Sequence, residues 1–140
     1  MKIEIHAVPF GDEGHRFLQI KSRVRIVYPV GPGVIRRVET EALWDTGATN
    51  TCIPMRLAVA MGMKLGDVVP VDKMRTQEPS RYCQFHLEFP TGETIFMPEA
   101  VAVPNMQARF IIGMDFIRKG VTTIEPDGQG GVNFTFVVLS

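Results

Sequence analysis

The sequence predicts a mostly β fold with one or two short helices, and three observations carry that expectation. Apolar residues recur with a period of two along most of the chain, the spacing of half-buried strands. Clusters of turn-forming residues, PVGPG (29–33), PTGE (90–93) and PDGQGG (126–131), punctuate the apolar runs. Only residues 54–66, and the short stretch after residue 112, carry a helical pattern.

The elements follow in chain order. Residues 1–6 alternate charged and apolar side chains and read as a first strand. In FLQIKSRVRIVY (17–28), apolar residues at 18, 20, 24 and 26 share a face, interrupted by Ser22 where an apolar residue belongs. After the turn at 29–33, VIRRVETEALW (34–44) resumes as a strand running into Asp45. In PMRLAVAMGMKLG (54–66), Pro54 suits a first helical turn, Leu57, Ala58 and Met61 share a face, and Gly62 is the stop. The polar stretch 72–81 is irregular. YCQFHLEF (82–89) and TIFMPEAVAV (94–103) form a hairpin across PTGE. FIIGMDFIRKG (110–120) begins as a buried strand and becomes a short helix stopped by Gly120, and 121–125 pairs with 132–139 across the glycine-rich turn. With no repeat and no linker, the 140 residues read as a single domain, 1–140.

Composition narrows the function. Fifteen Lys and Arg balance fifteen Asp and Glu, which argues against nucleic acid or an anionic membrane as the main partner. No run approaches the roughly 18 apolar residues of a membrane span, and the charged, alternating N-terminus does not look like a signal peptide. The expected location is cytoplasmic, with Cys52 and Cys83 as reduced thiols.

The candidate chemistry centres on LWDTGATNTCI (43–53). An Asp-Ser/Thr-Gly tripeptide arises by chance in roughly one chain in twenty of this length, so the three letters alone are weak. Their setting is stronger: Ala42, Leu43 and Trp44 precede Asp45 and Ala48 follows, so a strand delivers an acid into an apolar neighbourhood. About 65 residues later, Ile111-Ile112-Gly113 enters the second helix. With ALWDTGATNTCIP, IPMRLAVAMGMKL and FIIGMDFI in this order, residues 17–136 resemble the retropepsin-like aspartic proteases, including their single-domain bacterial relatives.

That resemblance implies a retropepsin-like acid protease barrel whose half-site is completed by homodimerisation. Asp45 would be the catalytic aspartate and Thr46 would bond across the twofold axis. Gly47 would let backbone approach the substrate, and Ala48 would fill the space beneath the loop. Thr49 and Asn50 would help position a peptide or protein substrate, with Ile111, Ile112 and Gly113 threading behind the loop. Because the chain holds one Asp-Thr-Gly, two copies would supply the two carboxyls that share a proton. No metal and no cofactor is expected.

The sequence departs from the family in two places. The segment matching the usual glycine-tipped flap, 72–82 (DKMRTQEPSRY), has no glycine and carries Pro79. Either its tip turns through 77–80 or the covering element is differently built. Thr49, Asn50 and Met114 replace the acids and arginine of viral members, and Asp115 is left to favour the second helix's N-terminus. Trp44 is expected to pack in a core or dimer interface, with its indole N–H needing an acceptor. Apolar substrate walls are expected from Ile53 and residues 110–112, and dimer contacts from terminal strands such as 1–6 and 132–139, unless the chain covers these itself. His6, His15 and His86 lack ligand spacing, and a Cys52–His86 nucleophile pair would need the fold to bring them together. The expected function is therefore an aspartic endopeptidase; the alternative is a weak or inactive domain used for peptide binding or dimerisation.

Overall fold

The computed structural model describes residues 1–70 and 78–139. Nine strands and two short helices run in the order β1 (Lys2–Ala7), β2 (Lys21–Gly31), β3 (Val34–Trp44), β4 (Cys52–Pro54), α1 (Met55–Ala60), β5 (Arg81–Glu88), β6 (Thr94–Val103), β7 (Ile111–Ile112), α2 (Met114–Ile117), β8 (Gly120–Pro126) and β9 (Val132–Val138) among the described residues. Six of them close a barrel in the order β2-β3-β7-β4-β6-β5, and the rest form a three-stranded sheet β1-β9-β8.

The long hairpins follow their sequence patterns. β2 and β3 pair antiparallel from Lys21↔Leu43 to Gly31↔Val34, with a bulge between Pro29 and Gly31. β5 pairs with β2 only as far as Val27, so Pro29, which has no N–H to donate, falls beyond that shared edge. The turn reduces to Pro32-Gly33, with Gly33 at φ 72°. β5 and β6 pair across a turn in which Gly92 takes φ 92°, a conformation costly for a residue with a Cβ.

Three expectations need correction. The strand expected over 17–28 starts at Lys21, because Phe17 instead pairs with Phe10 in an isolated bridge. Within 54–66, α1 covers six residues: Pro54, expected in the first helical turn, still belongs to β4, while Gly62, at φ 78°, follows the helix as the expected stop. Gly62 N–H donates to Val59 and Met63 N–H to Ala58, the pair of bonds that closes a helix through a left-handed residue. Gly120 does not stop α2; the helix ends at Ile117 with Arg118 as its cap, and Gly120 opens β8 where a Cβ would run into the Val137 carbonyl and the Phe136 ring.

The terminal strands are covered largely by their own chain. β1 pairs with β9 from Lys2↔Val137 to Ala7↔Val132, and β9 also pairs with β8 along its length. Strand 132–139 therefore has no open edge for a second copy; within this sheet the outer edges belong to β1 and β8.

The two sheets share one core, and Trp44 sits where they meet. Its ring lies 5.3 Å from Phe134 and 5.2 Å from Phe136 on the terminal sheet, 5.9 Å from Phe116 on α2 and 6.5 Å from Phe89 at the end of β5. Aromatic pairs at such separations add to the stabilisation from area burial. The residue preceding Asp45 is thus part of the core.

Candidate active site

The site is built where β3 ends. β7 pairs in parallel with β3 (Leu43↔Ile111, Trp44↔Ile112) and antiparallel with β4 at Cys52↔Ile111. A two-residue strand therefore lies between the strand entering the loop and the strand leaving it. The N–H of Leu43 donates to Phe110 and that of Asp45 to Ile112, both at 2.9 Å, which fixes the backbone on which the carboxylate stands.

Within the loop, Asp45 turns back on itself. Its Oδ1 accepts from Gly47 N–H at 2.8 Å and its carbonyl from Ala48 N–H at 3.2 Å. This is an Asx-type turn, in which a short carboxylate side chain does locally what a backbone carbonyl would do. A Cβ on Gly47 would come within 3.1 Å of Asp45 Oδ1, so glycine leaves room for the carboxylate. Asp45 is half-buried, Ala48 is half-buried beneath the turn, and Thr46, Gly47 and Thr49 are exposed at its rim.

The start of α2 holds the far side. Met114 N–H donates to Ala48 carbonyl at 2.8 Å and Asp115 N–H to Thr49 carbonyl at 3.0 Å. Gly113 is required by this closeness: a Cβ there would lie 2.5 Å from Asn50 carbonyl oxygen and 2.9 Å from that of Ala48.

Asp115 does more than favour a helix N-terminus. Its Oδ1 accepts from Thr51 hydroxyl at 2.8 Å and from Phe116 N–H at 2.9 Å, and its Oδ2 accepts from Thr51 N–H at 2.9 Å. Thr51, fully buried, in turn accepts from Gly113 N–H at 3.2 Å. Loop and helix are thus clamped by one carboxylate and one hydroxyl, and a buried polar group with all its bonds made rigidifies its surroundings. Thr51 was not singled out in the sequence; the signal was a hydroxyl placed directly before the apolar Cys52-Ile53-Pro54.

Other expected roles change. The Asn50 side-chain amide donates to Glu99 carbonyl at 2.9 Å, tying the loop to β6. Ile53, Phe110 and Ile112 are fully buried core residues and form no open wall; Ile111 is half-buried. The covering segment is described only from Glu78 onward, and its residues 72–77 lie outside the described residues. Its base is a hairpin stem: Gly66 N–H donates to Tyr82 carbonyl (2.7 Å), Tyr82 N–H to Asp67 (2.9 Å) and Val69 N–H to Ser80 (2.9 Å).

Neither cysteine has the surroundings of an activated nucleophile. Burial, and then the nearby charges of Asp115 and Asp45, push the Cys52 thiol up to about 11. Burial, then Cys52, pushes Cys83 up to about 12. Cys52 donates its S–H to Asn50 carbonyl at 3.3 Å, while His86 rests against Phe96 with ring centroids 5.0 Å apart. Thiols that stay protonated at neutral pH lack the reactive thiolate. Among the described residues, no group of three His, Cys, Asp or Glu is placed to hold a metal ion, and no helix is long and apolar enough to cross a membrane.

Known proteins share this architecture. A family model described as gag-polyprotein putative aspartyl protease matches residues 32–119, from the β2–β3 turn to just past α2. The crystal structure of a retropepsin-like aspartic protease from Rickettsia conorii superposes with a TM-score of 0.59 at 10% identity, over 99% of this chain and 92% of that one. At that identity the likeness is one of fold, and the barrel expected from the sequence is the barrel observed. No curated protein matches the chain.

Proposed function

Because the chain belongs to the gag-polyprotein aspartyl protease family, whose match spans the Asp45 loop and the strand behind it, we propose that it is an aspartic endopeptidase acting as a homodimer. The observation that carries this reading is the half-buried Asp45 carboxylate, oriented by Gly47 N–H at the tip of a loop braced from behind by β7 and α2.

One chain supplies one such carboxylate, and the chemistry needs two. Two carboxyls in contact cannot both ionise, so a pair shares one proton, the arrangement general to aspartic-protease dyads. The ionised Asp45 takes a proton from a water that attacks the peptide carbonyl carbon, and the protonated Asp45 of the other copy gives its proton to the carbonyl oxygen. Collapse of the tetrahedral intermediate breaks the C–N bond, and a proton passes to the departing amine, leaving an acid and an amine product. Any pH–rate profile then reports the pair as a unit.

The test is cleavage of a peptide library from mildly acidic to neutral pH, by the wild type and Asp45→Asn. Asparagine keeps an oxygen that accepts from Gly47 but carries no exchangeable acid proton. The variant is expected to fold and dimerise like the wild type while cleavage falls by roughly a thousandfold or more. Equal cleavage by the variant would overturn the mechanism. Peptide binding without any cleavage by the wild type would make the domain a binding module instead.

A further inference from the structure

The connection between β1 and β2 lies outside the family match, which begins at residue 32. It is not a slack loop. Phe10 and Phe17 exchange two backbone hydrogen bonds of 2.9 Å, their rings lie 5.8 Å apart, and His15 N–H closes the turn onto Asp12 carbonyl at 2.8 Å. Gly11 (φ 103°) and Gly14 (φ 91°) hold conformations costly for other residues, and a Cβ on Gly11 would collide with the His15 carbonyl. This ordered hairpin holds apolar side chains in water: Val8 is 59% exposed, Phe10 46%, Phe17 55% and Leu18 43%. A contiguous exposed apolar patch, rimmed by polar residues, marks an interaction surface.

We propose that the Phe10–Phe17 hairpin is a contact surface for a second copy of this chain, flanking the Asp45 site; the proposal rests on the half-site reading above. Its position is one argument. Trp44 N–H donates to Ile20 carbonyl at 2.8 Å, and Lys21 pairs with Leu43, so the root of the hairpin lies beside the strand end that carries Asp45. Leu18 and Phe17 lie two and three residues before Ile20 in the chain. Charge is the second argument. Asp12 and Glu13 precede His15 and Arg16 on one turn, so the patch carries both signs. In a twofold contact the same surface faces itself in reverse, and acids of one copy meet bases of the other. The acids disfavour an anionic membrane as occupant.

A stable dimer buries about 1,200–2,000 Å² in total, so the patch forms the aromatic centre of a wider contact. The test is sedimentation velocity over a range of concentrations on the full chain, with far-UV circular dichroism to verify folding. The wild type is expected to dimerise, and the variant combining Phe10→Ser with Phe17→Ser to dissociate with a dimer Kd raised roughly tenfold or more. Arg16→Glu alone and Glu13→Arg alone are each expected to weaken the dimer, and mixing the two single variants to recover it as a heterodimer, a rescue across chains that folding of the hairpin within one chain cannot produce. A serine variant that dimerises as tightly as the wild type would overturn the proposal, sending the contact elsewhere, for example to the free edge of β8. With Asp45-dependent cleavage intact, that result would leave the proposed activity standing. A variant that keeps the dimer but raises KM for peptides, or loses binding to neutral vesicles, would assign the hairpin to substrate or lipid and also overturn it. A wild type that is monomeric at every concentration yet cleaves through Asp45 would overturn this proposal and the half-site together.

Discussion

Ser22 accepts the Trp44 indole N–H at 2.9 Å, and that bond explains why the alternation of β2 breaks there. The ring of Trp44 packs against four phenylalanines, and its one polar atom must find an acceptor in a largely apolar setting. A residue that spoils the hydrophobic pattern is therefore the one that completes the core. Ser22→Val, which restores the pattern, is expected to lower stability by about 1–2 kcal/mol, because the indole N–H loses its partner; urea unfolding measures it. A midpoint equal to or above the wild type's would show that the bond contributes nothing. Thr51 follows the same logic beside the site, a buried hydroxyl that exists to join Asp115 to Gly113.

Among the elements, the β8–β9 hairpin shows how one acid organises a turn. Asp127 Oδ1 accepts from Gln129 N–H at 2.7 Å and Gly131 N–H at 2.9 Å, and its Oδ2 meets His6 Nε2 of β1 at 2.8 Å. The His6 hydrogen bond first, then the bond from Gln129, holds this carboxyl below its ordinary value. A carboxyl lowered in the folded state adds stability above the ordinary carboxylate range of about 4, and that stability is lost as the pH falls through its folded value. Asp127→Asn is thus expected to have a thermal midpoint that falls less than the wild type's between about pH 6 and about pH 3. Parallel acid limbs would show that the carboxylate is not linked to folding. β7 illustrates the opposite case, an element too short to stand alone, which pairs with both β3 and β4 and so fixes the loop between them.

Taken as a whole molecule, the chain is a closed barrel with a three-stranded sheet that shares its core, and one Asp-Thr-Gly loop. If activity needs one Asp45 from each copy, subunits are interdependent. Mixing equal amounts of wild type and Asp45→Asn, with time for exchange, is expected to leave about one quarter of the activity of the same total wild-type concentration, since only that share of dimers pairs two wild-type chains. Activity of one half, the value for independent subunits, would exclude a shared site. The measurement is a cleavage assay on the exchanged mixture, with native mass spectrometry to verify that mixed dimers form.

Residue order alone carried the β-rich class, the strands over 34–44 and 94–103, and the loop that carries Asp45, because period-two burial and glycine turns are local and appear directly in it. It also marked Gly113 and its two isoleucines, since a family pattern preserves the backbone that packs behind the loop. Tertiary structure alone decided what depends on residues distant in the chain. Ser22 accepts from Trp44, Thr51 joins Asp115, Asn50 ties the loop to Glu99, and Gly120 is needed for the neighbouring β9 and not for a helix end. None of these has a signature in spacing, because a side-chain hydrogen bond or a close backbone approach needs only proximity in space. The same reason separates Phe17 from the strand expected over 17–28: it pairs with Phe10 across a turn, and the apolar surface the two expose exists only once that turn is made.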